Sequence, residues 1–245
     1  MDIQRFDRIE KKYLITSKQK DAIRSAVKKH MNKDGYHKSE VYNIYFDTAN
    51  FDLIIKSIDN PNFKEKLRAR SYGGYDKVFL EIKTKLKGYE DDETRERVGY
   101  KRRVLITHRD FERLVRGEKT AEELAREKVE LGTDVQIARE VDYLMRFFDL
   151  EPRILVYYDR ESYVGEAGLR VTFDENLSFR NQNLSFKRER IDRKYFQDEK
   201  DTIMEIKAHG VIPLWLCRTL SSARAYPARF SKIGKIYEVI KKGEK

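Results

Sequence analysis

Cysteine is nearly absent: one residue, Cys217, in 245. That excludes an internal disulfide framework and any cysteine-based zinc site. Proline and glycine are scarce, at 4 and 12 residues, so no flexible interdomain linker is evident and the chain is expected to form a single domain over residues 1–245. No stretch approaches the ~18 consecutive apolar residues of a membrane span. The opening MDIQRFDRIEKK is charged from its second residue, so no secretory signal and no integral membrane segment are expected, and a cytoplasmic location is. Internal repeats and low-complexity runs are missing. Full disorder is excluded by an aromatic content of 12%, since disordered chains are poor in aromatics.

What the chain has is charge. Lys and Arg number 52 against 42 Asp and Glu, a net charge of +10. Such a balance fits nucleic acid, anionic lipid or a small polyanion. The arrangement of the charges narrows the choice. Arg8, Glu10 and Lys12 alternate with Ile9, Tyr13 and Ile15, with Lys11 as the exception. Lys66, Arg68 and Arg70 alternate with Leu67, Ala69 and Ser71. After the turn-rich Ser71–Asp76 segment, Val78, Leu80 and Ile82 alternate with Phe79, Glu81, Lys83 and Lys85. Arg95, Arg97, Lys101 and Arg103 oppose Val98, Tyr100 and Val104, with Arg102 out of place. Period two is the strand signature, and the Gly73-Gly74 junction reads as a hairpin. Further strands are expected at 41–46, 154–162, 169–174 and 203–207. Helices are expected at 17–31 with Ser17 as cap, at 107–117 with a Thr107 cap, at 134–150 and from Pro213 to about Ala225. Residues 181–201 read as a long loop.

These strands carry mostly cations. Two cations ~6 Å apart repel by about 3 kcal/mol at an effective dielectric near 20, and like charges directly opposite across strands destabilise a sheet. Glu10, Glu81, Asp174 and Glu205 are too few to balance Lys66, Arg68, Arg70, Lys83, Lys85, Arg95, Arg97, Lys101 and Arg103. A bound polyanion would balance them, assisted by a divalent cation on those carboxylates. The expected architecture is therefore α+β: about eight antiparallel strands closed into a barrel with a polar tunnel, its apolar face jacketed by amphipathic helices.

The ordered motifs Arg8-x-Glu10-x-Lys12-Tyr13, Arg68-x-Arg70 before Ser71-Tyr72-Gly73, Glu81-Ile82-Lys83, Tyr100-Lys101-Arg102-Arg103, Tyr158-Asp159-Arg160, Leu169-Arg170-Val171-x-Phe173-Asp174, Glu205-Ile206-Lys207 and Phe230-Ser231-Lys232 resemble the VTC-type polyphosphate polymerase domain. That domain is a branch of the triphosphate tunnel metalloenzyme (CYTH-like) superfamily. The resemblance spans residues 5 to 240. It implies transfer of the ATP γ-phosphate to a growing polyphosphate chain with Mn²⁺ or Mg²⁺. Lys12, Lys83 and Arg160 would act at the transferring group. Arg8, Lys66, Arg68, Arg70, Lys85, Lys101, Arg103, Arg170, Lys207, Arg229 and Lys232 would hold phosphates. Glu205 matches the family's metal carboxylate; Glu10 is either a second metal ligand or an orienting group for the neighbouring Arg and Lys side chains. Arg8 stands where the superfamily often has Glu, which favours the VTC branch. The 87–99 segment reads as a charged insertion, which weakens Arg95 and Arg97 as candidates.

Glu81 is expected to orient its neighbours. Asp174 reads as a turn residue before Glu175-Asn176, and Tyr13, Tyr45, Tyr157 and Tyr158 as packing residues. The histidines His30, His37, His108 and His209 show no metal spacing. The expected partners are ATP, triphosphate or polyphosphate, with a separate membrane partner allowed and no nucleic acid. Two readings stand beside the polymerase: a tripolyphosphatase or nucleoside triphosphatase using the same cations, and a non-catalytic polyphosphate-binding module.

Overall fold

The computed structural model describes residues 8–59, 62–73, 76–87, 97–127, 135–186, 194–195 and 201–243. The side chains of Arg8, Lys87, Arg97, Val98, Lys194, Tyr195 and Asp201 are outside that description, as is all of Arg95. The strands are β1 (Arg8–Thr16), β2 (Asn32–Asp47), β3 (Phe63–Tyr72), β4 (Val78–Lys87), β5 (Arg97–Ile106), β6 (Glu151–Val164), β7 (Arg170–Arg180), the two-residue β8 (Lys194–Tyr195) and β9 (Asp201–His209). Each alternating run of the sequence lies in one of them. Residues 32–40 at the start of β2 do not alternate; apart from Gly35 and Tyr36 they are polar, and they extend the strand beyond the expected 41–46.

The hydrogen-bonded order is β1-β9-β7-β6-β2-β3-β4-β5, with β8 on β7. β1 and β5 end this path, and among the described residues no pairing joins them. The expected closed barrel is therefore corrected to an open antiparallel sheet. A local reason is visible at β1. Its outer edge is engaged by the chain after α6 (Leu214–Ser222): Tyr13 bridges Pro227, and the Ala228 amide donates to the Lys12 carbonyl at 2.7 Å. Those backbone groups are the ones that closure would need, and a covered edge also resists pairing with other chains.

The chain divides into two compact units. The first comprises Met1–Glu40, Tyr158–Ser178 and Tyr195–Lys232; the second comprises Val41–Tyr157, Phe179–Lys194 and Ile233–Lys245. In the first, the apolar parity of β1, β7 and β9 (Tyr13, Ile15, Val171, Phe173, Met204, Ile206) packs with Ile23 and Val27 of α1 (Ser17–His30) and Leu216 and Leu220 of α6. In the second, Ile44, Leu67, Ala69, Leu80, Ile82 and Val104 pack with residues of four helices. These are α2 (Asp52–Asp59), α3 (His108–Val115), α4 (Ala121–Arg126) and α5 (Val135–Phe147), contributing Leu53, Phe111, Leu124 and Val141 among others. A last helix, α7, runs Lys232–Gly243.

Local signals explain the helix starts. Thr16, not Ser17, caps α1 in a capping box with Gln19, and Thr107 caps α3 with Asp110. α2 has no long stripe to betray it, but Asp47 accepts the amides of Leu53 at 2.9 Å and Ile54 at 3.0 Å. Arg102, the exception on the apolar parity of β5, meets Glu140 of α5 at 3.0 Å. A cation under a helix is tolerated because the helix supplies its carboxylate.

Leu80 is fully buried between sheet and helices. Leu80→Ala is expected to cost about 2–5 kcal/mol, read as a lower urea midpoint; a change below about 1 kcal/mol would contradict this packing.

Candidate functional site

In the second unit the opposite face of β3, β4 and β5 is a lattice of cations set by strand register. Lys64 faces Lys85; Lys66 faces Lys83, which faces Lys101; Arg68 faces Glu81, which faces Arg103. Lys64, Lys66, Arg68, Arg70, Lys83, Lys85, Lys101 and Arg103 thus share a face with one carboxylate, Glu81. Directly opposed Cα atoms in such a sheet lie about 4.5–5.5 Å apart.

Glu81 is 2% exposed and gathers the nearest charges. Its Oε2 accepts from Arg68 Nε at 2.8 Å and Nη2 at 2.6 Å. Lys101 Nζ meets Oε1 at 2.5 Å, and Arg70 Nε lies 3.8 Å from Oε2. Burial pushes the Glu81 carboxyl up, but Arg68, Arg70 and Lys101 outweigh it and hold its pKa at about 2. Arg70 also donates to Asn43 Oδ1 at 2.8 Å, and Arg68 Nη1 donates to the Tyr45 hydroxyl at 3.2 Å. Burial disfavours the Tyr45 phenolate; the charges of Arg68, Lys66 and Arg70 outweigh that and bring its pKa to about 8.

The first unit builds its face around Asp174, which is 1% exposed. Arg160 forks onto it, Nε to Oδ1 at 2.6 Å and Nη2 to Oδ2 at 2.8 Å, and Lys232 Nζ donates to Oδ2 at 2.7 Å. The Tyr158 ring lies beneath both cations, 5.3 Å from Arg160 Cζ and 4.7 Å from Lys232 Nζ. Burial raises the Asp174 carboxyl, but Arg160 and Lys232 hold it below the usual carboxylate range. In return Asp174 raises the Lys232 ammonium against the effect of burial.

On the same face Glu10 opposes Lys207, which opposes Arg170, and Lys12 opposes Glu205, which opposes Thr172. Lys207 meets Glu205 at 3.1 Å. Lys12 lies 3.9 Å from Glu10 and donates to the Phe230 carbonyl at 3.2 Å. Arg170 donates to Asp34 Oδ2 at 2.6 Å and to Ser162 Oγ at 3.2 Å. Glu205 lies near Glu10 on this face; burial pushes its carboxyl up, but Lys207, then Glu10, Lys12 and Arg160 hold it below its ordinary value. Two carboxyls drawn together offer the hard oxygen donors that Mg²⁺ and Mn²⁺ take. No group of three or more His, Cys, Asp or Glu among the described residues could hold a metal ion alone, so water or phosphate oxygens would complete its shell. Arg229 is exposed, three residues before Lys232. Arg8 pairs with His209 in β1, its side chain outside the description.

Each unit thus brings its own candidates together: Lys66, Arg68, Arg70, Lys83, Lys85, Lys101 and Arg103 in one, Glu10, Lys12, Arg160, Arg170, Glu205, Lys207 and Lys232 in the other. Sequence reasoning undervalued several residues. Asp174 is a strand residue and the anchor of its face, and its parity with Arg170 and Thr172 was the available signal. Tyr45 and Tyr158 share the parity of Asn43 and Arg160, so they lie on the charged faces rather than in the core. Asp34 had no signal, because its stretch of β2 has no apolar parity.

A family model described as the VTC domain matches residues 7–240. The chain is 26% identical over 150 residues, 56% of its length, to vacuolar transporter chaperone complex subunit 4 of Schizosaccharomyces pombe (strain 972 / ATCC 24843). It covers 20% of that protein, so it spans about a fifth of the curated relative. Among solved structures it is similar to HpAC1 from Hippeastrum, described as revealing a dominant triphosphatase activity. That likeness has TM-score 0.55 and 16% identity, covering 97% of this chain and 96% of the other. It is also similar to PH1819 from Pyrococcus horikoshii OT3, with TM-score 0.46 and 16% identity, covering 95% and 99%. At such identities the likeness is one of fold.

The Glu81 cluster has a pH signature. Its carboxyl falls from 4.5 unfolded to about 2 folded. The unfolded state therefore takes up this proton first, and the stabilisation, present above pH 4.5, is lost as pH falls through 2. Glu81→Gln is expected to destabilise the chain by about 3–5 kcal/mol at neutral pH, because it strands buried cations. The deficit should shrink steadily between pH 4.5 and 2 in urea unfolding. A deficit independent of pH would mean that the carboxylate charge is not what holds the cluster.

Proposed function

The chain belongs to the VTC domain family, and from this premise we propose that it is a metal-dependent polyphosphate polymerase, transferring the γ-phosphate of ATP to a growing polyphosphate chain. The observation that carries the reading is the cation lattice of β3, β4 and β5, anchored by a single buried carboxylate. Phosphoryl transfer asks little covalent chemistry of a protein; it asks for positioning and for fixed positive charge around the phosphate oxygens.

In this reading Arg68, Arg70, Arg160 and Arg170 clamp phosphate oxygens with planar forks. Lys66, Lys85, Lys101, Lys207, Lys232, Arg8 and Arg229 add phosphate contacts. Within its own unit, Lys83 in the second and Lys12 and Arg160 in the first are the candidates for stabilising charge on a transferred phosphate. Glu205 and Glu10 would hold Mn²⁺ or Mg²⁺, which when bound supplies charge neutralisation between adjacent phosphates. The place of the Schizosaccharomyces pombe relative in a complex supports partner subunits for this chain. No helix among the described residues is long and apolar enough to cross a membrane.

A second reading is hydrolysis of tripolyphosphate or a nucleoside triphosphate, supported by the triphosphatase activity described for the Hippeastrum protein. The same cations serve both, and the acceptor decides. Incubating the chain with ATP and Mn²⁺ and staining a gel for polyphosphate separates them. Long chains are the expected result. Phosphate release alone would establish the hydrolase, and tight tripolyphosphate binding without turnover a binding module.

Arg160→Lys tests the clamp. The fork is lost while the charge stays, and a charge-assisted hydrogen bond is worth about 1.5–3 kcal/mol. Turnover should fall by roughly 10- to 150-fold. Retained wild-type turnover would remove Arg160 from the transferring group.

A further inference from the structure

Arg103 behaves unlike the other cations of its face. It stands directly opposite Glu81 in the β4–β5 register, yet Glu81 is engaged by Arg68, Arg70 and Lys101. Among the described residues no carboxylate pairs with Arg103. Its guanidinium lies instead over the Phe79 ring, 4.8 Å from the centroid. Phe79 is the one aromatic of β4 on the cationic parity, facing Arg70 across the β3–β4 pair. Its ring is braced edge-on by Tyr72 at 6.4 Å and 77°. Arg103 is exposed and Phe79 half-buried, so the planar cation is backed by an aromatic and open on its outer side.

A planar guanidinium held over an aromatic ring can offer a stacking surface to a second flat π-system. Resting on the reading above, we propose that Phe79 and Arg103 form a nucleobase shelf, so that this face takes a nucleoside triphosphate rather than bare tripolyphosphate. Spacing supports the assignment. From Phe79 to Lys83 is four strand residues, about 13 Å at the usual rise, with the Glu81-anchored forks between. A nucleotide whose base stacks on Arg103 can run its phosphates past Arg68 and Lys101 towards the Lys66–Lys83–Lys101 row. Stacking reads a π-face and not an edge, so the shelf prefers the larger purines to pyrimidines without selecting one purine. It also moves Arg103 from phosphate contact to base contact.

The test is calorimetric binding of ATP and of inorganic tripolyphosphate, each with Mg²⁺, to the full chain and to Phe79→Leu, which keeps an apolar side chain and loses the ring. The ATP affinity should fall about five- to tenfold, while tripolyphosphate affinity stays within twofold, which also shows that the variant is folded. Arg103→Lys keeps the charge and loses the plane; the ratio of ATP to tripolyphosphate affinity should collapse in the same way. Equal weakening of both ligands, or of neither, overturns the shelf and leaves the polyphosphate reading standing. Failure of the wild-type chain to bind either ligand overturns both.

Discussion

One constraint governs this molecule: cations crowded on neighbouring strands must be held where they repel each other. At ~6 Å and an effective dielectric near 20 each such pair costs about 3 kcal/mol. The Lys66–Lys83–Lys101 row sets three in register. The fold offsets the repulsion with very few anions, each placed for greatest effect. Glu81 touches three cations and Asp174 two, and both are almost wholly buried. Burial makes each carboxylate costly to insert and, once paired, a strong organiser, since its partners cannot be traded for water.

That arrangement dictates the rest of the architecture. A sheet with one charged face can bury only the other, so the opposite parity of β3, β4 and β5 is apolar and needs a cover. Helices α3, α4 and α5 supply it in one unit, α1 and α6 in the other. Even the misplaced Arg102 obeys the rule, because the covering helix brings Glu140 to it. The edge of β1 is handled in the same spirit. The segment around Pro227 and Ala228 takes up its backbone groups, and the sheet stays open where alternation alone suggested closure.

The strands and charged faces were legible because alternation is a local property: Lys66, Arg68 and Arg70 declare their face within five residues. Barrel closure was not legible, because it depends on how the first and last strands meet, and no stretch of sequence records that. Asp174 was misread because Asp-Glu-Asn is also turn chemistry; only its contact with Arg160 and Lys232 shows it to be an anchor. Asp34 lies in the first part of β2, which has no apolar parity, so its partnership with Arg170 is purely tertiary. Helices α2, α4 and α7 were missed as well. The first two are only 8 and 6 residues long; the start of α2 is set by Asp47 from the preceding strand, whereas α4 carried a local signal, the Thr120-x-x-Glu123 capping box, that the sequence reading passed over.

The division between arginine and lysine on these faces has a mechanical meaning. Arg68, Arg70 and Arg160 are tied to carboxylate or amide oxygens through fixed planar forks, so their positions are set before any anion arrives. Pre-set donors lose little entropy on binding and lower the cost of capture. Lys83 and Lys85 sit in register with other lysines on β3, and a lysine is a point charge on a flexible stem. It can follow an oxygen that moves. A face made only of forks would hold one anion in one register, and a face made only of lysines would attract anions without orienting them. Under the proposed function, rigid forks beside lysine point charges would suit an anion gripped at one phosphate while its neighbours advance.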